Sequence, residues 1–108
     1  MDRIDVPQGT LDLLILTIVQ REPMHGYGIA QLLAEQTKGV FQVNAGSLFP
    51  ALYRLEADGI LAAEWGATEN NRRAKYYRLT AAGKKQLALE TDRWKRITLA
   101  IAKVQEAT

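Results

Sequence analysis

The chain has 108 residues, 47 % hydrophobic and 24 % charged, which fits one ordinary soluble domain with a single modest core. With no cysteine and one histidine, His25, disulfides, thiol chemistry and cysteine-based zinc sites are excluded, and neither a metal nor a cofactor is expected. The formal charge of +2 hides an asymmetry: residues 1–65 carry four basic and eight acidic residues, net −4, whereas residues 66–108 carry ten and four, net +6.

Over residues 8–19, Leu11, Leu14, Ile15, Ile18 and Val19 recur at i, i+3, i+4, i+7 and i+8, which predicts an amphipathic helix. Pro7 precedes it, where a missing N–H does little harm. Leu13 and Leu16 widen the apolar stripe, so this helix is expected to be covered on two sides, by its own domain and by a second chain. Pro23 and Gly26 then break the pattern, with His25 as a turn residue or helix cap. A second helix follows over residues 26–37, with Tyr27, Ile29, Ala30, Leu32 and Leu33 apolar, and Lys38-Gly39 closes it. Residues 40–43 are long enough only for a short extended piece.

Asn44 has the chemistry of an N-cap, and a third helix runs from it to about residue 58. Leu48, Leu52 and Leu55 point its apolar face inward. Ser47, Pro50 and Arg54 lie opposite, with Ala51 beside them and Tyr53 on the flank. Pro50 deletes the N–H that would bond the Gly46 carbonyl, which is tolerable this near the helix start. Beyond Asp58-Gly59 the period switches from 3.6 to 2, so residues 60–65 and 74–79 read as two strands of a hairpin. Its tip is polar and basic, and Asn70 and Asn71 can sharpen the turn. Tyr27, Phe49, Trp65 and Tyr77 are assigned to the core. Thr80 caps a last helix reaching about residue 105, on which Leu87, Trp94, Ile97, Ile101 and Val104 form a short heptad seam.

Between Arg72 and Lys85 six cations occur with no acidic residue among them, a block suited to a polyanion through release of condensed counterions. A solvated basic face with no partner is the plainer explanation of the same charges. An enzyme is disfavoured: there is no cysteine nucleophile, glycine-rich phosphate loop or Gly-x-Ser-x-Gly elbow, and no evident carboxylate pair. No apolar run of ~18 residues could span a membrane, and the acidic start lacks an apolar signal segment, so a cytoplasmic protein is expected.

Helix, helix, helix, hairpin is the plan of a winged helix-turn-helix. The expected fold class is therefore mainly α with a small β-hairpin: a winged helix-turn-helix over residues 1–80 and a C-terminal dimerisation helix over residues 81–108. Three blocks also resemble the PadR-type transcriptional regulators: Gly26-Tyr27-Gly28-Ile29, Asn44-Ala45-Gly46-Ser47-Leu48-Phe49-Pro50-Ala51-Leu52-Tyr53-Arg54-Leu55-Glu56, and Arg72-Arg73-Ala74-Lys75-Tyr76-Tyr77-Arg78-Leu79-Thr80-Ala81-Ala82-Gly83. Phe49 stands where that family usually has tyrosine, so one phenolic hydroxyl is missing.

The resemblance implies a homodimeric DNA-binding repressor with its third helix in the major groove and its wing on the neighbouring backbone. The residues expected to contact duplex DNA are Asn44, Ser47, Pro50, Tyr53 and Arg54 on the third helix, and Arg72, Arg73 and Lys75 on the wing. Arg54 suits a guanine edge or a phosphate, although Asp58, four residues on, offers it a surface ion pair. The dimer interface is expected along Leu13 and Leu16 of the first helix and Leu87, Trp94, Ile97, Ile101 and Val104 of the last. Some members of the family hold flat aromatic effectors between tryptophans on the last helices, which makes Trp94 the candidate effector contact; a Trp94 that only plugs the seam is the simpler role. A winged helix serving protein interaction without DNA is the competing function.

Overall fold

The computed structural model describes residues 3–7 and 9–107. In chain order its elements are β1 (Ile4–Asp5), α1 (Leu11–Arg21), β2 (Met24–His25), α2 (Gly26–Gln36), β3 (Phe41–Gln42), α3 (Ala45–Ala57), β4 (Leu61–Ala67), β5 (Arg73–Leu79) and α4 (Ala81–Glu106). The expected α-plus-hairpin plan is present, with helix and strand bounds close to those read from periodicity. The start of α1 differs. Thr10 stands at its N-cap position and donates its hydroxyl to the Pro7 carbonyl at 2.6 Å, while Gln8 lies outside the described residues.

Each local stop and start signal is used. His25 Nδ1 accepts from the Gly28 N–H at 3.0 Å and caps α2; Asn44 Oδ1 accepts from the Ser47 N–H at 2.9 Å and caps α3; Thr80 Oγ1 accepts from the Gly83 N–H at 3.0 Å and caps α4. Gly39 closes α2 by donating to the Ala34 carbonyl at 2.7 Å. Asn71 turns the hairpin at φ 57°, a left-handed conformation that asparagine tolerates, and the Thr68 N–H donates to the Arg72 carbonyl across the turn.

Two short pairings had no visible periodicity. β1 pairs in parallel with β3, Ile4 opposite Phe41, and β2 pairs antiparallel with β5, Met24 opposite Tyr77. The wing hairpin is therefore part of a three-stranded sheet ordered β2-β5-β4, with β5 central, in which Leu61 opposes Leu79 and Ala67 opposes Arg73.

The core gathers Ile15, Leu16, Ile18 and Val19 of α1, Ile29 and Leu33 of α2, Leu48, Ala51, Leu52 and Leu55 of α3, and Leu61, Tyr77 and Leu87. Two expected interface residues are corrected by this. Leu16 is 0 % exposed and Leu87 is 7 % exposed, because α1 is wrapped by α2, α3, β5 and α4 of the same chain. The broad stripe of α1 is covered on two sides by its own fold, and Leu13 is half-buried against the same core. Ala51, placed near the outer face of α3, is also buried. Truncating a side chain such as Leu52 to alanine in this core costs about 2–5 kcal/mol.

Only the first turns of α4 join the core. Gly83 is buried where an added Cβ would run into the Ile60 carbonyl, so the helix crosses the backbone leading into β4 at closest approach. From Asp92 to Ile101 every residue is exposed, and the 26-residue helix gives the molecule extents of 55 × 34 × 22 Å. No helix among the described residues is long and apolar enough to cross a membrane.

Candidate nucleic-acid interface

α3 carries its core face on Leu48, Leu52 and Leu55 and leaves Asn44, Ser47, Pro50, Tyr53 and Arg54 exposed. It stands as a ridge between two depressions. On the α1 side is a cleft of about 680 Å³, lined by Asn44, Ser47, Pro50 and Arg54 together with Asp5, Pro7 and Asp12. On the wing side is a groove of about 900 Å³, lined by Tyr27, Phe49 and Tyr53 from the helices and by Trp65, Arg72, Arg73, Lys75 and Tyr76 from the hairpin. A helix flanked in this way can enter a major groove while a neighbouring strand of backbone runs along the wing.

Arg54 does not pair with Asp58. Its Nη2 donates to Asp12 Oδ1 of α1 at 2.7 Å, in an ion pair whose side chains are 52 % and 29 % exposed. That hydrogen bond raises the arginine above its ordinary value against a smaller cost of burial, and the charges of Asp12 and Asp58 add to it. An ion pair this exposed contributes only about 0–1 kcal/mol. A bidentate guanine contact, at roughly 1–3 kcal/mol of base discrimination, can therefore recruit Arg54 without a large penalty.

Lys75, expected among the DNA contacts, is paired within the chain. Its Nζ donates to Glu56 Oε1 of α3 at 2.6 Å and lies 5.7 and 5.9 Å from the ring centres of Tyr53 and Tyr77. The pair ties strand β5 to α3. Beneath it Tyr77 is buried, and desolvation, with smaller effects from Tyr53 and Glu56, pushes its phenol up to about 12.

Arg72 and Arg73 remain exposed at the wing tip. The Arg73 guanidinium stacks 4.4 Å from the ring centre of Trp65, which fixes its direction. Trp65 is 57 % exposed and Tyr27 72 % exposed, so neither belongs to the core as expected, whereas Tyr77 does and Phe49 is half-buried against it. The cause for Trp65 is geometric: β4 and β5 extend past the edge of α3, and the sheet face that buries Leu61 and Tyr77 continues outward as Trp65, Lys75 and Arg73. The rings of Tyr27 and Phe49 meet edge to face and those of Phe49 and Tyr53 are tilted to one another, at centroid distances of 5.4 and 6.2 Å. Gly26 permits this, since a Cβ there would collide with the Phe49 ring.

On α4, Trp94, Ile97, Ile101 and Val104 are exposed along one seam, Val104 to 70 %. The residues missed by periodicity, Asp12, Glu56, Trp65 and Tyr27, act through partners distant in sequence. Only the i, i+2 parity of Trp65 with Lys75 and Arg73 across the hairpin could have placed any of them.

Comparison with known proteins agrees with this geometry. A profile for the transcriptional regulator PadR-like family matches residues 15–89. A transcriptional regulator of Mycobacterium tuberculosis is 40 % identical over 86 residues, covering 80 % of this chain and 75 % of its own length. An uncharacterised protein of Lysinibacillus sphaericus is 32 % identical over 94 residues, covering 87 % of this chain and 86 % of its own. Among solved structures, a PadR family transcriptional regulator from Eggerthella lenta superimposes with a TM-score of 0.80 at 33 % identity, over 94 % of this chain and 86 % of that one. A transcriptional regulator from Clostridium thermocellum does so with a TM-score of 0.81 at 27 % identity, over 89 % and 90 %. The match runs through the helices, the wing and the start of α4 without a break, and the chain belongs to the PadR-like family of transcriptional regulators, winged helix-turn-helix proteins that bind DNA and are not enzymes.

Proposed function

We propose that this chain is a cytoplasmic repressor that binds an inverted-repeat operator as a homodimer, each copy placing α3 in the major groove and its wing on the adjoining backbone. The observation that carries this reading is the exposed ridge of Ser47, Pro50, Tyr53 and Arg54, flanked by a wing with two exposed arginines, Arg72 and Arg73. Ser47 and Tyr53 supply hydroxyls to phosphate oxygens, Arg54 reads a base edge, and Asn44 keeps the first turn of α3 in place while lying beside the same strand. Two such units, about one helical turn apart, multiply a weak single contact into a useful affinity. A dimer seated on a promoter represses by occlusion.

Selection of bound fragments from random duplexes tests this. A two-fold symmetric consensus is expected, with binding that weakens steeply as salt rises. An absence of enrichment, or binding indifferent to salt, favours a protein-interaction module instead.

Release by a small aromatic effector is a second element of the proposal, supported by the exposure of Trp94 on the apolar seam. A planar molecule stacked there would alter the angle between the two recognition helices. Titration with planar phenolics should quench Trp94 emission in a Trp65→Phe background and lower operator affinity; unchanged emission removes the effector.

A further inference from the structure

We propose that Asp12 is a specificity-determining residue that makes Arg54 a reader of bases and a poor ligand for phosphates. This rests on the reading of α3 as the recognition helix. Arg54 is held by one nitrogen, Nη2, on Asp12 Oδ1 at 2.7 Å, and both residues line a cleft that Asp5 also lines. A phosphate approaching this guanidinium must bring its full negative charge close to the Asp12 carboxylate, so the two anions compete and repel. A guanine edge presents O6 and N7 acceptors with no net charge and pays no such penalty, while the guanidinium keeps further N–H groups free to donate to it. The carboxylate thus acts as a charge filter, and it also holds a flexible side chain in a direction set by α1. Its location on α1, 42 residues from Arg54 in sequence, fastens that direction to the core.

The test compares affinity for the selected operator and for random duplex across a salt series, using wild type, Asp12→Asn, Arg54→Gln and the double variant, with folding checked by circular dichroism. Wild-type binding to the operator in a salt-dependent manner tests the DNA reading on its own. In Asp12→Asn the freed arginine engages phosphate, so random-duplex binding tightens and the salt slope steepens by about 0.9 per arginine recruited. The ratio of operator to random affinity falls about fivefold to tenfold, as expected for loss of one bidentate base contact. Both changes disappear when Arg54→Gln is already present. A merely structural Asp12 would weaken operator and random binding together with the ratio intact, and that result overturns the proposal, as does an Asp12→Asn effect that persists without Arg54. If Asp12→Asn does not fold, Asp12→Glu carries the test: its longer arm keeps the charge, so the random-duplex affinity stays at the wild-type value, and a rise there also overturns the filter.

Discussion

The two arginines at the wing tip differ in how they are held, and that difference sets what each contributes. Arg73 is directed by the Trp65 ring, whereas Arg72 anchors the turn through its backbone and leaves its side chain to solvent. Among the described residues neither has a carboxylate within ion-pair reach, so both are available to phosphates. Replacing both with alanine is expected to weaken binding to every duplex alike and to flatten the dependence of log K on log salt by about two phosphate equivalents, roughly 1.8 in slope. Isothermal binding at four salt concentrations measures this, and an unchanged slope would mean that the wing does not meet the backbone. At this scale the sequence was readable where chemistry is local. Asn44, His25 and Thr80 were recognisable as caps or turn residues because a cap bonds an amide three positions away. Arg54 and Lys75 were not, because Asp12 and Glu56 reach them only after α1, α3 and β5 have come together, and a cation in a one-dimensional string looks equally free wherever its partner lies.

Helices and strands were legible through their periods, and the errors occur where an element outlasts its neighbours or is too short to have a period. The hairpin pattern alternates through Trp65, but burial stops at the edge of α3, so the same parity yields core at Tyr77 and a solvent-facing aromatic at Trp65. β1 and β2 are two residues each and carry no alternation to detect, whereas β3 falls within the short extended piece expected over residues 40–43. The junction between β5 and α4 shows how much one residue can settle. Thr80 Oγ1 accepts from the Gly83 N–H and lies 2.7 and 3.0 Å from the carbonyls of Gly59 and Ile60, to which its hydroxyl donates. It therefore starts α4 and ties that start to the turn after α3. Thr80→Ala is expected to destabilise the fold by about 1–2 kcal/mol, from the lost cap and the carbonyl left without its donor. Thr80→Ser, which keeps the hydroxyl, should recover most of it. Urea unfolding followed by circular dichroism separates the two variants, and equal midpoints would mean that the junction is held by the Gly83 crossing alone.

At the scale of the molecule, the distal part of α4 carries a long apolar seam that stays exposed among the described residues. Trp94, Ile97, Ile101 and Val104 recur at three, four and three residues, a coiled-coil spacing, yet Ile101 is 51 % exposed. An exposed apolar stripe of this kind marks an association surface. With Leu16 and Leu87 consumed by the core, the proposed two-fold contact narrows to this seam and the half-buried Leu13 of α1. A narrower contact sharpens the test. Ile97→Asp with Ile101→Asp places two charges on residues that support no core, so the fold should change by no more than about 0.5 kcal/mol at each site. Facing one another across a dimer axis, the same carboxylates would be desolvated and would repel, and the double variant should sediment as a monomer. Loss of the second half-site then removes avidity, lowering operator affinity by about 100-fold while leaving the salt slope per bound subunit unchanged. Sedimentation and operator binding measured on the same preparation are decisive, because a variant that stays dimeric with full operator affinity moves the two-fold axis off α4.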